Sequence, residues 1–278
     1  MNLKNPSFLL VLFITFLIAS YVELTFGGFG SSGYLALVFF IIALIILAKL
    51  KGTGETRLKP SKKLSLLGGF IIIADIIYNV RAGSDFQTLD TMLIFLGISL
   101  ISLNIKNSSI SNMGEFGAYF SSIFLLLFIS VYAMPSRLGS NIYDDYGYYA
   151  TTLPALFILR SMDISLHMDS LVTFHVYGIE DIYYKIDLGC FGFYSMILII
   201  STVFAYRLTS PRKNHSHSII KITVVLIIAS YLANLFRIIS LVSIGYYYGL
   251  ETMQIFHTFL GWALFAAIVL PIAYFYLR

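Results

Sequence analysis

Three side chains in this sequence have the chemistry of acyl transfer. Cys190, the single cysteine, stands in "IDLGCFGFYS", where a charged stretch gives way to an apolar run. Arg237 lies inside the apolar run "ANLFRIIS", and His257 begins "HTFLGW". Cysteine attacks as its thiolate, which the unpaired N–H groups in the first turn of a helix favour. Imidazole carries protons near neutral pH. A fixed guanidinium in a low-dielectric site holds a thiolate or the oxyanion of a tetrahedral intermediate. Each residue also has an ordinary reading. A cysteine is often a small buried hydrophobe, an arginine near a span end snorkels to headgroups, and a histidine is an unremarkable helix opener. Asp187, just before the cysteine, reads as a helix cap.

The elements that must position these residues are membrane helices. Of 278 residues, 58% are hydrophobic and only 12% charged, against roughly 25% charged in soluble domains. Crossing hydrocarbon takes about 20 mostly apolar residues. Eight runs qualify, near 7–26, 33–50, 64–80, 90–105, 117–134, 190–207, 219–246 and 256–277. The expectation is an all-α polytopic helix bundle forming one integral membrane domain over 1–278. The first apolar run continues past Ser20 and a second follows closely, so it reads as a span, not a removable leader.

Lysine and arginine orient the bundle, because they are retained on the cytoplasmic side. The loop "KLKGTGETRLKPSKK" carries Lys49, Lys51, Arg57, Lys59, Lys62 and Lys63. With that loop inside, both termini are cytoplasmic, and the outer side keeps only Arg81, Arg137, Arg160 and Lys185. Acidic residues mirror this, with Glu55 and Glu115 inside and most others outside. The net charge of +4 therefore reflects topology and not nucleic-acid binding. One connection is long: residues 136–189, between spans five and six, lie outside the membrane. Bundled helices are usually joined by about two to eight residues. The segment "LPALFILRSMDISLHMDSLVTF" within it reads as an interfacial helix. The whole loop is either a structured cover over helix ends or a lid or substrate vestibule.

Topology brings the three reactive residues to one depth. Span seven runs outward from Ile219, and Arg237 lies 18 residues along it. A rise of about 1.5 Å per residue puts it roughly 27 Å across, near the outer boundary of a core about 30 Å thick. Cys190 opens span six and His257 opens span eight at that same face.

At these residues the chain resembles the exosortase/archaeosortase family of multi-span membrane transpeptidases. "CFGFYS" supplies Cys190, Gly192 and Ser195, "NLFR" supplies Asn234 and Arg237, and "FHTFLGW" supplies His257. The resemblance implies a cysteine peptidase and transpeptidase of the cell membrane with its active site facing outward. Its substrates would be surface proteins ending in a short motif, a membrane helix and a basic tail. Cys190 would cleave at the motif, and the thioester would pass to an acceptor, on a lipid. Arg237 would hold the thiolate or oxyanion, His257 would move protons, and Asn234 would orient Arg237. Gly192 and Ser195 belong to the same motif. No metal, cofactor or nucleic acid is implied. Phe191 replaces the small residue usual after the cysteine, which would narrow substrate access or alter the motif recognised. The histidine matches the bacterial branch, where the archaeal branch has arginine.

Two other function classes have residues of their own. A transporter or channel would use the span charges Glu23, Asp75 in "FIIIADIIYNV", and Arg237; a structural hydrogen bond to another span explains Asp75 equally well. A metal-dependent intramembrane protease would use His167, His175 and His257, but no His-Glu-x-x-His occurs and "HSH" at 215–217 falls inside. The glycines around 27–33 read as a tight outer turn and not a phosphate loop. Asn107-Ser-Ser matches the glycosylation triplet on the cytoplasmic side, where it has no such use.

Overall fold

The computed structural model of the protein describes residues 61–83, 87–137, 142–186, 190–209 and 219–269, with scattered positions before Ser61 and at 271–272. The first two expected spans fall almost wholly outside the described residues, as do Glu23, the 27–33 glycines, Asp187 and "HSH". The chain groups into two compact units. One comprises Met1–Ser140 with Ser201–Asn214, the other Asn141–Ile200 with His215–Arg278.

The first unit is built on α1 (Lys62–Ala82), α2 (Thr88–Ser102) and α3 (Ser108–Phe128). After α3 come a π-helical turn at Ile129–Ala133 and the short α4 (Met134–Arg137). Their ends carry local signals. Gly83 closes α1 at φ 59°, and Gln87 with Asp90 forms a capping box on α2. Asn107 Oδ1 accepts from the N–H groups of Ser109 and Ile110 to open α3, so the asparagine of Asn107-Ser-Ser is a helix cap. α1 and α2 approach backbone to backbone: a Cβ on Gly97 would stand 2.7 Å from the Gly68 carbonyl. Close approach through small residues is how helices associate in lipid, where apolar surface supplies no drive. Leu64, Leu93, Leu96, Leu100, Leu125 and Ile129 fill the core.

Buried polar groups in this unit have polar neighbours within it. Asp75 is 7% exposed, and its carboxyl stands beside that of Asp90. Asn79 Nδ2 donates to the Asp75 carbonyl at 3.0 Å. Asp75 thus neighbours the capping box of α2, a structural setting. Buried Glu115 accepts from the Leu58 N–H at 3.0 Å, tying the end of the basic loop to α3.

Among the described residues, three stretches are long and apolar enough to cross a membrane: Lys62–Ala82, Ser108–Ala133 and Ile219–His257. They correspond to the expected spans three, five and seven. The fourth and sixth are the shorter apolar helices Thr88–Ser102 and Phe193–Thr209. The protein is a mostly helical membrane protein.

The second unit holds α5 (Ile142–Gly147), a π-helical turn at Tyr148–Thr152, and α6 (Leu153–Ser161). An antiparallel sheet follows, ordered β1 (Leu166–Met168), β2 (Thr173–Tyr177) and β3 (Asp181–Lys185). Then come α7 (Phe193–Thr209), whose residues up to Ile200 belong to this unit, and α8 (Ile219–Leu264). The sheet departs from the all-α expectation, and the interfacial helix expected over 153–174 ends at Ser161. Asp163 turns the chain at φ 59°. Beyond it Ile164, Leu166 and Met168 point inward while Ser165 and His167 are exposed. That apolar–polar alternation has the period of two that belongs to a strand, not the 3.6 of a helix. Phe174, Val176 and Ile182 continue the inward row. With Ala155, Leu156, Leu159, Phe191, Ile238 and Val242, the Phe174 and Val176 side chains make one core under the site.

A candidate active site on a bent helix

α8 is interrupted once, at Gly249, whose φ of 82° and ψ of 176° are not helical. Such a φ is nearly closed to residues with a Cβ. Arg237 Nη2 lies 3.4 Å from His257 Nε2. Along an unbroken helix 20 residues would put them about 30 Å apart, so the chain folds back at Gly249. Gly261 supports this independently: a Cβ there would sit 3.1 Å from Arg237 Nε. Arg237 and Gly261 each lie twelve residues from Gly249, as expected of facing positions on an antiparallel helical hairpin. His257 therefore stands two turns into the second arm and does not open it, a correction to the expected start of span eight. Arginine only donates hydrogen bonds, so His257 Nε2 accepts and the ring proton sits on Nδ1.

Ser230, Asn234 and Arg237 recur at i, i+4 and i+7 along the first arm and share one face. Asn234 Nδ2 donates to the Cys190 carbonyl at 2.7 Å. Ser230 donates to the Ser195 hydroxyl at 3.0 Å, and Ser195 in turn donates to the Gly192 carbonyl at 2.7 Å. The stripe thus grips the cysteine turn through Asn234, the first turn of α7 through Ser230, and His257 through Arg237. Asn234, expected to orient Arg237, holds the cysteine turn instead. Arg237 is the next helical turn along, about 5 Å of axial rise away.

Cys190 is half-buried and sits in a turn three residues before α7, not in the first turn of that helix. Gly192 makes the turn at φ 74°, and a Cβ there would stand 3.0 Å from the Asn234 side chain. Two constraints therefore ask for glycine. Phe191 is 1% exposed and belongs to the unit's core; a Cβ on Gly147 would collide with its ring. Its bulk is spent on packing the turn against α5. The Arg237 Nε is buried and meets no acceptor among the described residues.

The other function classes share Arg237 and His257 with this site, and their remaining described residues have partners of their own. Asp75 is in the first unit, on α1. His175, on the outer face of the sheet, is engaged by Asp169 at 3.4 Å and Asp181 at 3.3 Å, and His167 faces it across the β1–β2 pair. Below the sheet, the Tyr184 hydroxyl is pushed up to about 12 by burial, and a Cβ on Gly245 of α8 would meet that hydroxyl. Gly249, Gly261 and Glu180, described below, have structural roles that sequence reasoning passed over. The only prior signal for Gly249 was its place in "GYYYGLE", a string that reads as an interfacial aromatic belt.

Comparison with known proteins supplies one further finding. The family profile described as transmembrane exosortase matches residues 30–274, a range that contains every residue of this site. No curated protein and no solved structure matches the chain.

Proposed function

Because the chain belongs to the transmembrane exosortase family, we propose that it is a membrane cysteine transpeptidase acting through Cys190, Arg237 and His257. The substrate is a surface protein carrying a C-terminal motif, a membrane helix and a basic tail. In this reading eight spans place both termini in the cytoplasm and the site at the outer face, level with such a motif. Segment 136–189 forms the vestibule. The observation that carries the reading is the single stripe on α8 that holds the Cys190 turn through Asn234 and meets His257 through Arg237.

The chemistry runs through two proton transfers at each half-reaction. His257 takes the Cys190 thiol proton at Nε2, which breaks its hydrogen bond from Arg237 and frees Nη2. The thiolate attacks the carbonyl carbon of the motif's peptide bond. Arg237 then offers Nη2, beside the unpartnered Nε, to the oxyanion, a pair of donors with the geometry arginine uses for oxyanions. Collapse breaks the C–N bond, the leaving amine takes the proton from His257, and the helix and tail depart. An acyl-enzyme thioester remains. An amine or hydroxyl acceptor, on a lipid, gives its proton to His257 as it attacks, and the cysteine sulfur leaves and recovers that proton. Asn234, Gly192 and Ser195 keep the nucleophile's turn in register throughout.

Co-expression with a substrate bearing the three-part signal tests this. Wild type is expected to shorten it and Cys190→Ala to leave it intact; equal processing by both would end the proposal. A transporter predicts the reverse sensitivity, tolerating Cys190→Ala and failing with Asp75→Asn.

A further inference from the structure

The turn joining β2 to β3, Gly178-Ile179-Glu180, is seated on the elbow of α8 and holds it from both sides. The Ile179 N–H donates to the Tyr246 carbonyl at 3.1 Å. Gly178 approaches so closely that a Cβ there would meet the Tyr246 backbone. On the other side of Gly249, Glu180 Oε2 accepts from the Leu250 N–H at 2.9 Å. A Cβ on Gly249 would stand 3.2 Å from the same carboxylate.

These bonds go to groups that a broken helix cannot satisfy by itself. The last carbonyls of the first arm and the first N–H groups of the second have no partners within their own helices. Here one of each is paired by a turn from another part of the chain, with Glu180 and Leu250 70 residues apart in sequence. The carboxylate also lies at the positive end of the second arm's dipole. Glycine leaves the elbow free to take many angles, so the angle observed is set from outside α8. That angle decides whether His257, two turns beyond the elbow, reaches Arg237.

We propose that Glu180 is a positioning residue for acyl transfer: by capping Leu250 it fixes the arm that carries His257 and keeps the imidazole against Arg237. The inference rests on His257 being the proton carrier. It makes the sheet a part of the catalytic apparatus, and makes any movement of the β2–β3 turn a movement of His257.

The test uses the full-length protein in two arms. The first needs no substrate. Spin labels at Phe236→Cys and Phe259→Cys, exposed positions on the two arms, report the inter-arm distance in a Cys190→Ser background. Glu180→Ala is expected to broaden that distribution, and Glu180→Gln, whose amide oxygen still accepts from Leu250, to restore it. Glu180→Asp, which keeps the charge but lacks the reach, is expected to broaden it too, and serves if Glu180→Ala does not fold. The second arm measures processing of the substrate used in the Cys190→Ala comparison. Loss of a cap predicts about a fivefold slower rate for Glu180→Ala, with Glu180→Gln within about twofold of wild type. An unchanged distance distribution in a folded Glu180→Ala or Glu180→Asp protein overturns the inference, as does a lowered melting temperature with distance and rate both unchanged. Failure of the wild type to process any substrate refutes the transpeptidase reading and leaves the distance result standing.

Discussion

The side-chain amide of Asn234 donates to the backbone carbonyl of Cys190 at 2.7 Å. One hydrogen bond therefore ties the turn bearing Cys190 to the helix bearing Arg237. Gly192 gives the cysteine turn its shape, Phe191 packs it into the core, and Asn234 joins it to the helix that carries Arg237.

Removing that donor leaves the Cys190 carbonyl without this partner, a loss of about 1–3 kcal/mol. Asn234→Ala is expected to slow processing about tenfold or more. Asn234→Asp should be worse, because a carboxylate cannot donate and adds negative charge beside the thiolate. Alkylation of Cys190 by iodoacetamide, followed against pH, measures this directly. The aspartate variant should need a higher pH than the alanine variant to reach the same rate, and the opposite order would count against the thiolate mechanism.

Gly192→Ala places a Cβ at φ 74° and 3.0 Å from Asn234. The backbone conformation alone costs about 1–2 kcal/mol, and the contact pushes away the amide that holds Cys190. A lower thermal midpoint and a loss of processing should appear together. Retention of full activity would show that the turn tolerates a shift in register.

Gly261 leaves room for the Arg237 guanidinium, so Gly261→Val should act on chemistry and not on folding. The added methyl groups displace Nε, which in the proposed mechanism is a donor to the oxyanion. A loss of about 100-fold in kcat with little change in KM is expected, matching removal of an oxyanion donor elsewhere. Arg237→Lys should resemble it, since a single ammonium cannot offer two donors in one plane. An effect confined to KM in either variant would assign Arg237 to substrate binding.

Phe191→Ala removes a buried ring from the core that joins α6, the sheet and the first arm of α8. A destabilisation of about 3–5 kcal/mol is expected, read as a fall in melting temperature. The motif preferred by the surviving fraction should stay the same, because the ring packs inward toward Gly147. A changed preference would restore the view that Phe191 borders the substrate.

Much of the candidate site could be picked out from the sequence because reactive side chains are scarce in a chain so apolar. Cys190 is the single cysteine, Arg237 is a charge inside a hydrophobic run, and Gly192 sits in a string with its own motif. The partner of Asn234 was not legible: helical spacing puts it on the face of Arg237, yet its amide turns to a carbonyl 44 residues away. The sheet was missed because Leu166, His167 and Met168 alternate within a segment that also contains a true helix, Leu153–Ser161. Over a few residues, an apolar residue every second place satisfies both periods in part.

By itself the sequence determined the class of protein, through the hydropathy of its apolar runs. It also determined the chemistry available, through residue types that no neighbour can alter. The tertiary structure decided which of those residues meet. Contact between Arg237 and His257 depends on the break at Gly249, beside which Glu180 accepts from the Leu250 N–H. That is a long-range choice, because a helix break leaves its direction open until other parts of the chain satisfy the freed N–H and C=O groups.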